Sequence, residues 1–339
     1  MKTALICGIS GQDGAYLAKS LLEKGYHVVG TSRDALASSF SNLHRLSIFN
    51  DIELESMVLT DFRSTLQTLK KAKPDEVYNL AGQSSVGLSF QQPVEAMESI
   101  CIGTLNLLEA IRFLGSEIRL YNASSSECFG NTDSAGATEE TPFRPRSPYA
   151  VAKAAAHWAV VNYRQSYGLF AANGILFNHE SPLRPERFVT KKIVSAASRI
   201  KANRQRKVRL GDLAIRRDWG WAPEYVEVMW RIIQHPTPDD FVVATGSAYS
   251  LEDFVTEAFK QLGLDWRNYV EIDDTLARPS EIMCNLGNGA KAYAELGWKP
   301  NYNMLDVVHM MVDDEYNNNY ASSSSSVSSS AHAPRLSSL

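Results

Sequence analysis

The chain has 339 residues, of which 44% are hydrophobic and 21% charged, a length and composition that suit one large or two moderate globular domains. A formal net charge of −4 offers no basic surface for nucleic acid, and no apolar run approaches the ~20 residues that a membrane span requires. The four cysteines are far apart and form no Cys/His cluster, which argues against a metal site and a disulfide scaffold. With no signal peptide at the start, these features predict a cytoplasmic protein without a nucleic-acid or membrane partner.

Strand-like and helix-like segments alternate from the first residues. The pattern predicts a strand over 3–8, a helix over 14–23 and a strand over 27–32, which form a βαβ opening. Later apolar segments predict strands at 56–59, 76–80, 120–124 and 174–178 and a helix at 103–114. This alternation predicts an α/β fold with a Rossmann-type, doubly wound parallel sheet.

The alternation weakens after Asn178, where proline-rich joints indicate a smaller C-terminal lobe that closes a cleft. We predict a Rossmann domain over 1–178 with returning segments, and a substrate-binding lobe mainly over 179–316. Residues 317–339 begin with three asparagines and become serine-rich, a composition that predicts a flexible tail.

A glycine-rich turn follows the first strand and precedes the first helix. Glycine allows the backbone to turn tightly and approach a pyrophosphate, whose charge is favoured by the free N–H groups of a helix N-terminus. A simple glycine turn is the alternative, but the position at the first strand–helix junction favours a dinucleotide site. The predicted cofactor contacts there are Gly8, Gly11, Gln12, Asp13 and Gly14.

The end of the second strand indicates which dinucleotide is bound. Ser32 stands where an NAD-type acid usually falls and Arg33 follows it, which favours the 2′-phosphate of NADP, although Asp34 keeps NAD open. Residues after the third strand are placed to meet the adenine, and residues after the fourth are placed along the nicotinamide half. These predicted contacts are Asp61 and Phe62, followed by Leu80, Ala81 and Gln83.

Tyr149 and Lys153 lie four residues apart at the start of a predicted helix. That spacing puts them on one helix face, so the ammonium group can stabilise a phenolate or hold a cofactor hydroxyl. A free tyrosine has a pKa of about 10, so a base that works near neutrality needs such help. A solvated lysine one turn from a packed tyrosine is the alternative, but the upstream glycine turn favours the catalytic interpretation.

With these motifs the chain resembles the extended short-chain dehydrogenase/reductase family, and within it the GDP-mannose 4,6-dehydratases. The resemblance runs from residue 1 to about 315 and is carried by the strings at 8–17, 145–153, 173–182 and 217–220. It implies a hydro-lyase that oxidises carbon 4 of a GDP-linked sugar, eliminates water across carbons 5 and 6, and returns the hydride to carbon 6. NADP would stay tightly bound and be recycled in each turnover.

The resemblance also assigns roles to single residues. Tyr149 would deprotonate the carbon 4 hydroxyl, Lys153 would hold the cofactor ribose and lower the pKa of Tyr149, and Glu127 with Ser125 would move protons in the elimination. A glutamate in a loop salt bridge is the alternative for Glu127. The implied substrate contacts are Ser85, Asn178, Glu180, Lys192, Arg217, Arg278 and Glu281, and Glu186 is a weaker candidate.

Several residues depart from the family pattern. Ser125, Ser85 and Gly82 replace larger residues, and Cys128-Phe129 replaces an aliphatic–tyrosine pair. Added room beside the sugar leads to the hypothesis that the substrate is GDP-D-glycero-D-manno-heptose rather than GDP-mannose. The loop at 37–40 resembles a segment that reaches a neighbouring subunit, which implies a homo-oligomer, either a dimer or a tetramer.

Two other functions stay open. A GDP-4-keto-6-deoxy-sugar reductase or a nucleotide-sugar 4-epimerase would use Tyr149 and Lys153 without elimination, and Glu127 argues against both. A catalytically silent NADP-binding regulatory protein would leave the joint presence of Ser125, Glu127, Tyr149 and Lys153 without a purpose.

Overall fold

The computed structural model describes residues 1–115 and 117–320. Its strands are β1 (Thr3–Cys7), β2 (His27–Ser32), β3 (Glu53–Ser56), β4 (Glu76–Asn79), β5 (Arg119–Ser125), β6 (Ala171–Leu176), β7 (Asn178–Glu180), β8 (Val208–Leu210), β9 (Arg216–Trp221), β10 (Asp240–Val243), β11 (Ala248–Ser250), β12 (Val270–Ile272) and β13 (Cys284–Asn285). Its α-helices are α1 (Gln12–Glu23), α2 (Ser41–Arg45), α3 (Phe62–Ala72), α4 (Val86–Gln91), α5 (Pro93–Ala96), α6 (Gly103–Leu114), α7 (Pro148–Tyr167), α8 (Val189–Lys201), α9 (Ala222–Gln234), α10 (Leu251–Gln261), α11 (Ala290–Leu296) and α12 (Met304–Asn319).

The centre of the molecule is a seven-stranded sheet in the order β10-β6-β5-β4-β1-β2-β3. Every neighbouring pair in it is parallel, so the predicted doubly wound Rossmann sheet is confirmed. All six residues of β6 are buried, as expected for a strand covered by helices on both faces. The strand order reverses beside β1, and this reversal opens a crevice at the carboxyl ends of β1 and β4.

Three predicted boundaries differ from the structure. The third strand is β3 and not 56–59, because Glu53 to Ser56 are the residues that pair with β2. The apolar residues that suggested a later strand lie in the connection to α3, where the Met57 N–H donates to the Ser32 carbonyl at 2.8 Å. The strand predicted at 174–178 begins at Ala171, since pairing with β5 starts there.

The third difference concerns the C-terminal tail. Residues 317–319, predicted to be flexible, are the last residues of α12, which Asn303 caps through the N–H groups of Leu305 and Asp306. The remainder of the predicted tail from residue 321 onward lies outside the described residues.

The second lobe has its own apolar core. Helices α8, α10 and α12 pack around Trp219 of β9 together with Phe254 and Phe259, all three of which are buried. Strand β9 joins β7, β11 and β13 in a small sheet. The chain then returns to the central sheet through β10. Among the described helices, none has the length and apolar character to cross a membrane.

A row of buried amides aligns four strands of the central sheet. The Asn79 Nδ2 donates to the Asn122 Oδ1 at 3.0 Å, and the Asn122 Nδ2 donates to the Asn173 Oδ1 at 2.9 Å. The Asn173 Nδ2 then donates to the Asp240 Oδ1 at 2.9 Å, and Arg164 holds the same carboxylate. A shift of one strand by a residue would break this row, so it fixes the register of β4, β5, β6 and β10.

Candidate active site

The glycine turn between β1 and α1 has the geometry of a dinucleotide site. Gly8 has a φ of +85°, and a Cβ on Gly14 would lie 2.5 Å from the Gly8 carbonyl oxygen, so only glycine fits at both positions. Gly11 is the N-cap of the twelve-residue helix α1, and the nearest atom to a Cβ there would be the Gly8 oxygen at 3.4 Å. A pyrophosphate fits this open backbone and the N–H groups of the helix start.

Beneath the turn lies a buried network that ties it to β7. The His179 Nε2 lies 2.9 Å from the Asp13 Oδ2, and its Nδ1 lies 2.8 Å from the Phe177 carbonyl oxygen. Both ring nitrogens therefore face oxygens, the arrangement of an imidazolium. Although burial opposes both charges, His179 lowers the pKa of Asp13 to about 2, and Asp13 raises the pKa of His179.

Gln12 belongs to the same network. Its Nε2 donates to the His179 carbonyl at 3.2 Å, and its Oε1 accepts from the Ser181 hydroxyl at 2.7 Å. Gln12 is only 6% exposed, so its side chain serves this network, and its predicted cofactor contact stays a prediction. Sequence reasoning did not identify His179 or Ser181, whose only signal was their place in the family-like string at 173–182.

The loop after β2 separates the two candidate ribose ligands. The Arg33 side chain is 83% exposed, with its Nη1 3.6 Å from the Glu95 carboxylate. The Asp34 carboxylate instead accepts the N–H groups of Leu36 and Ala37 at 2.9 and 3.0 Å, so it stabilises its own turn. Of the two, Arg33 is therefore the side chain available to a ligand.

The remaining predicted cofactor residues lie along the same crevice. Asp61 caps α3 by accepting the N–H groups of Arg63 and Ser64, and Phe62 beside it is 39% exposed. Ala81 and Leu80 abut the glycine turn, because a Cβ on Gly8 would lie 3.0 Å from their backbone atoms. These contacts bring the ends of β1, β3 and β4 to one edge of the sheet.

Gln83 lies farther along this crevice and shapes the chain that leads to α4. Its amide donates to the Ser85 carbonyl at 2.9 Å and accepts the Ser85 N–H at 2.6 Å. The Ser85 hydroxyl accepts the N–H of Leu88 and so begins α4. The side chains of Gln83 and Ser85 thus stabilise the loop and its junction with α4.

Tyr149 and Lys153 stand on the first turns of α7, directly beside the end of β5. Ser147 caps this helix by accepting the N–H of Ala150, and Pro148 occupies its first position. The Lys153 Nζ donates to the Ala123 carbonyl of β5 at 2.6 Å and lies 5.9 Å from the centroid of the Tyr149 ring. The predicted pair therefore shares one face of α7 and faces the sheet.

Burial is the main influence on the pKa values of this pair. Burial raises the pKa of Tyr149 above its ordinary value, and the hydrogen bond with Ser125 opposes this rise without cancelling it. Burial also lowers the pKa of Lys153 to about 8. The Lys153 ammonium group binds the Ala123 carbonyl, and its predicted role in lowering the pKa of Tyr149 stays a prediction.

Ser125 and Glu127 lie where β5 ends and a single 3₁₀ turn begins. The Glu127 N–H donates to the Ser125 hydroxyl at 3.3 Å, and the Glu127 side chain is 12% exposed. Burial raises the pKa of Glu127 against the opposing charges of Arg278 and Arg217. A carboxyl group of raised pKa beside a tyrosine and a serine is suited to exchange protons.

Arg217, Arg278 and Glu281 meet beside Glu127, although Arg217 is on β9 and the other two lie in the loop before β13. The Arg217 Nη2 is 3.0 Å from the Glu281 Oε1, and the Arg278 Nη1 is 3.8 Å from the Glu127 Oε1. The four predicted residues thus form one cluster, which we call the four-charge cluster. Its two guanidinium groups offer the positive charge and paired donors that suit phosphate oxygens.

The remaining predicted substrate residues lie outside the four-charge cluster, and most of them bind other groups of the protein. Asn178 begins β7 and is partly exposed, while the Lys192 Nζ donates to the Arg209 carbonyl at 2.7 Å. Glu180 is 1% exposed, and its carboxylate binds the Thr190 hydroxyl at 2.7 Å and the Arg184 Nε at 3.0 Å. These bonds hold Glu180 within its own lobe, and its predicted contact with the sugar stays a prediction. Glu186 forms an ion pair with Arg199.

The parallel sheet, the glycine turn and the Tyr–Lys pair define an extended short-chain dehydrogenase/reductase. Within that class, the sequence model of the family described as GDP-mannose 4,6 dehydratase matches residues 5–311. The chain belongs to the GDP-mannose 4,6-dehydratase family. The predicted family and its hydro-lyase class are thereby confirmed.

Individual relatives agree over nearly the whole chain. GDP-mannose 4,6 dehydratase 2 of Arabidopsis thaliana is 48% identical, with 93% of this chain and 87% of the relative covered. GDP-mannose 4,6-dehydratase of Vibrio cholerae is 41% identical, with 93% and 94% covered.

Solved structures support the fold. The dTDP-glucose 4,6-dehydratase from Streptomyces venezuelae, with NAD bound, has a TM-score of 0.83 at 21% identity and covers 94% of this chain and 97% of its own. The UDP-glucose 4-epimerase complex with NAD from Thermus thermophilus has a TM-score of 0.82 at 24% identity, with 94% and 99% covered. At these identities the likeness concerns the fold alone.

Proposed function

We propose that the chain is an NADP-dependent GDP-sugar 4,6-dehydratase in which Ser125, Glu127, Tyr149 and Lys153 carry the chemistry. The observation that carries this proposal is the position of Glu127. It lies two residues after Ser125, its side chain is 12% exposed, and it faces Arg278 across 3.8 Å. A reductase or an epimerase of this fold has no step that requires such a carboxyl group.

Tyr149 removes the proton from the carbon 4 hydroxyl as that carbon is oxidised. Its hydrogen bond with Ser125 favours the phenolate and links the two side chains to one substrate oxygen. Lys153, whose pKa is lowered to about 8 by burial, holds a hydroxyl of the ribose from the sheet side. When bound, the nicotinamide accepts the hydride from carbon 4 and later returns it to carbon 6.

Glu127 serves the elimination. The carbon 4 ketone acidifies the proton on carbon 5, Glu127 removes that proton, and the carbon 6 hydroxyl leaves with a proton as water. A carboxyl group that both accepts and donates a proton works best when its pKa lies near the working pH. Burial raises the pKa of Glu127 in that direction. Ser125 donates a hydrogen bond to the carbon 4 oxygen throughout.

Two observations support NADP as the dinucleotide. Arg33 at the end of β2 is 83% exposed and free to meet a 2′-phosphate, whereas the Asp34 carboxylate is held by the N–H groups of its own turn. A ribose diol of NAD would have to compete with those two hydrogen bonds.

The GDP part is assigned to Asn178, Lys192, Arg217, Arg278 and Glu281. Arginine suits a diphosphate because it offers positive charge and paired donors, and both arginines lie in the four-charge cluster beside Glu127. This arrangement sets the sugar between the diphosphate and Tyr149.

A heptose substrate is a second candidate. Fewer of the substitutions noted in the sequence support it once the structure is considered. Gly82 adds no room, because a Cβ there would lie 2.8 Å from the Ile100 side chain, and Cys128 is fully buried with its Sγ bonded to the Ala150 carbonyl. Only the smaller side chains of Ser125 and Ser85 leave space for a sugar that is one carbon longer than mannose.

Turnover in a mixture of GDP-mannose and GDP-D-glycero-D-manno-heptose shows which sugar is the substrate. A clear preference for the hexose rejects the heptose.

The proposal also covers the oligomeric state of the protein and the compartment in which it works. Cys7, Cys101, Cys128 and Cys284 are free, which suits a reducing cytosol. A homo-oligomer would use surfaces other than Phe40, which is 2% exposed in the core of its own chain, while Leu36 nearby is 98% exposed. Light scattering distinguishes a dimer from a tetramer.

The decisive experiment follows product mass after incubation with GDP-mannose, without added NADPH. Loss of one water supports the dehydratase, and the Glu127→Gln variant should slow that loss by about 10²–10⁴. The protein would instead be a reductase if neither GDP-mannose nor GDP-D-glycero-D-manno-heptose lost water and a 4-keto sugar were reduced at the expense of NADPH.

A further inference from the structure

The two arginines of the four-charge cluster are held very differently. The Arg217 side chain is 5% exposed, and its Nη1 donates to the Ile282 carbonyl at 2.7 Å while its Nη2 contacts Glu281. The Arg278 Nη1 lies 3.8 Å from Glu127 and 3.6 Å from Glu281, both longer than a hydrogen bond, and its side chain is 32% exposed. Arg217 is fixed, whereas Arg278 is free to turn.

The net charge of the four-charge cluster indicates how a diphosphate would act on it. Two guanidinium groups face two carboxylates, so the cluster is neutral before a nucleotide arrives. A diphosphate brings further negative charge and draws the nearest cation that can form charge-assisted hydrogen bonds. Arg217 already uses a donor on the Ile282 carbonyl, so Arg278 is the cation that moves.

We propose that Arg278 is shared between Glu127 and the substrate diphosphate, so that nucleotide binding withdraws a cation from Glu127 and converts a neutralised carboxylate into a strong base. This inference rests on the proposed function of Glu127 and makes Arg278 a positioning residue for the elimination. Until the correct nucleotide is seated, Glu127 keeps its partner and the carbon 5 proton is not attacked.

The sign of the effect follows from the groups around Glu127. Arg278 and Glu281 face it from the loop before β13, Arg217 from β9, and Tyr149 from α7. Burial raises the pKa of Glu127, and Arg278 is the leading charge that opposes this rise. Removal of Arg278 therefore raises the pKa further, and a base of higher pKa abstracts a proton more readily.

The test titrates the Glu127 carboxyl group by infrared spectroscopy, with the Glu127→Gln variant assigning its band. GDP is the probe, since it carries the diphosphate without the reacting sugar. We expect GDP to raise the midpoint by about one pH unit or more, a tenfold change in proton affinity. In Arg278→Gln the midpoint is already high without GDP, and GDP moves it little.

Matched variants separate the possible causes. Arg278→Lys keeps the charge and restores part of the shift, while Arg267→Gln, which removes an exposed arginine paired with Asp265, keeps the full shift. An unmoved midpoint in the wild type, or an equal GDP shift in Arg278→Gln, overturns the proposal. The wild-type titration decides even where a variant fails to fold.

The pH dependence of turnover gives an independent readout. The acid limb of kcat, which reports the complex, is expected at higher pH than that of kcat/KM, which reports the free enzyme. In Arg278→Gln the two limbs coincide. Normal conversion of GDP-mannose with coincident limbs in the wild type would reject this inference and leave the proposed function intact.

Discussion

The His179 imidazole and the Asp13 carboxylate, 166 residues apart, form a partly buried ion pair of 2.9 Å that joins β7 to the first turn of α1. Gln12 and Ser181 reinforce it through a second pair of hydrogen bonds. Strand β7, which begins at Asn178, is thereby tied to the glycine turn. The geometry of the cofactor crevice and that of the second lobe are fixed together.

We predict that His179→Gln lowers the free energy of unfolding by about 1–3 kcal/mol at pH 6, because it leaves the Asp13 carboxylate, whose side chain is 22% exposed, without its cation. The pKa of Asp13 is lowered to about 2, so its contribution is present above its ordinary value of 3.8 and is lost as pH falls toward 2. The pKa of His179 is raised, so its contribution is present below 6.5 and is lost as pH rises through the raised value.

Denaturant unfolding at several pH values measures this pair. The difference between the wild type and His179→Gln should be largest near pH 5–6 and should shrink in alkali, where the imidazole is neutral. His44→Gln, which changes a histidine stacked on Phe49 outside the network, is the control. A difference that stays constant from pH 5 to pH 10 would mean that packing, and not charge, explains the loss.

The Glu127→Gln variant should separate oxidation from elimination. We expect the rate of water loss to fall by about 10²–10⁴, the usual contribution of a general acid–base group. Exchange of the carbon 5 proton with deuterated solvent should fall with it, since both steps need the same carboxyl group. Mass spectrometry of the product in heavy water measures both, and Glu55→Gln, on β3 outside the cleft, is the control.

Arg33→Ala should change the choice of dinucleotide. Loss of the guanidinium removes a charged contact to the 2′-phosphate but none to a ribose diol, so NADP affinity should fall about 10- to 100-fold while NAD affinity changes little. Calorimetric titration of both cofactors gives the ratio, with Arg206→Ala, an exposed arginine of the second lobe, as the control. Equal losses for NAD and NADP would contradict the assignment.

The amide row predicts a stability effect without a change in the site. Asn122→Ala breaks the bonds to Asn79 and Asn173, and we expect a loss of about 2–4 kcal/mol because two buried polar groups lose a partner. Urea unfolding of the wild type and of Asn122→Ala measures this loss in the free energy of unfolding. Asn162→Ala, an exposed asparagine on α7, should cost far less, and an equally small effect at Asn122 would argue against the row as a register device.

Sequence patterns predicted the parts of the site that are local. The glycine turn and the Tyr149–Lys153 pair are each complete within a few residues, so their spacing carries the information. The contacts of His179 with Asp13 and of Arg278 with Glu127 depend on packing between distant segments, and no spacing encodes them. The burial of a side chain could not be predicted either, because only the structure shows that Thr190 and Arg184 enclose the Glu180 carboxylate.

The return of β10 to the central sheet has a consequence for synthesis on the ribosome. When the chain has been made as far as Leu176, β6 is the edge strand and Asn173 has no Asp240 to bind. The edge stays open while β7, α8, β9 and α9 are added, and it closes only when residues 240–243 emerge. The first 178 residues thus expose an unpaired edge that invites association, so a truncation there should aggregate while one after α12 should not.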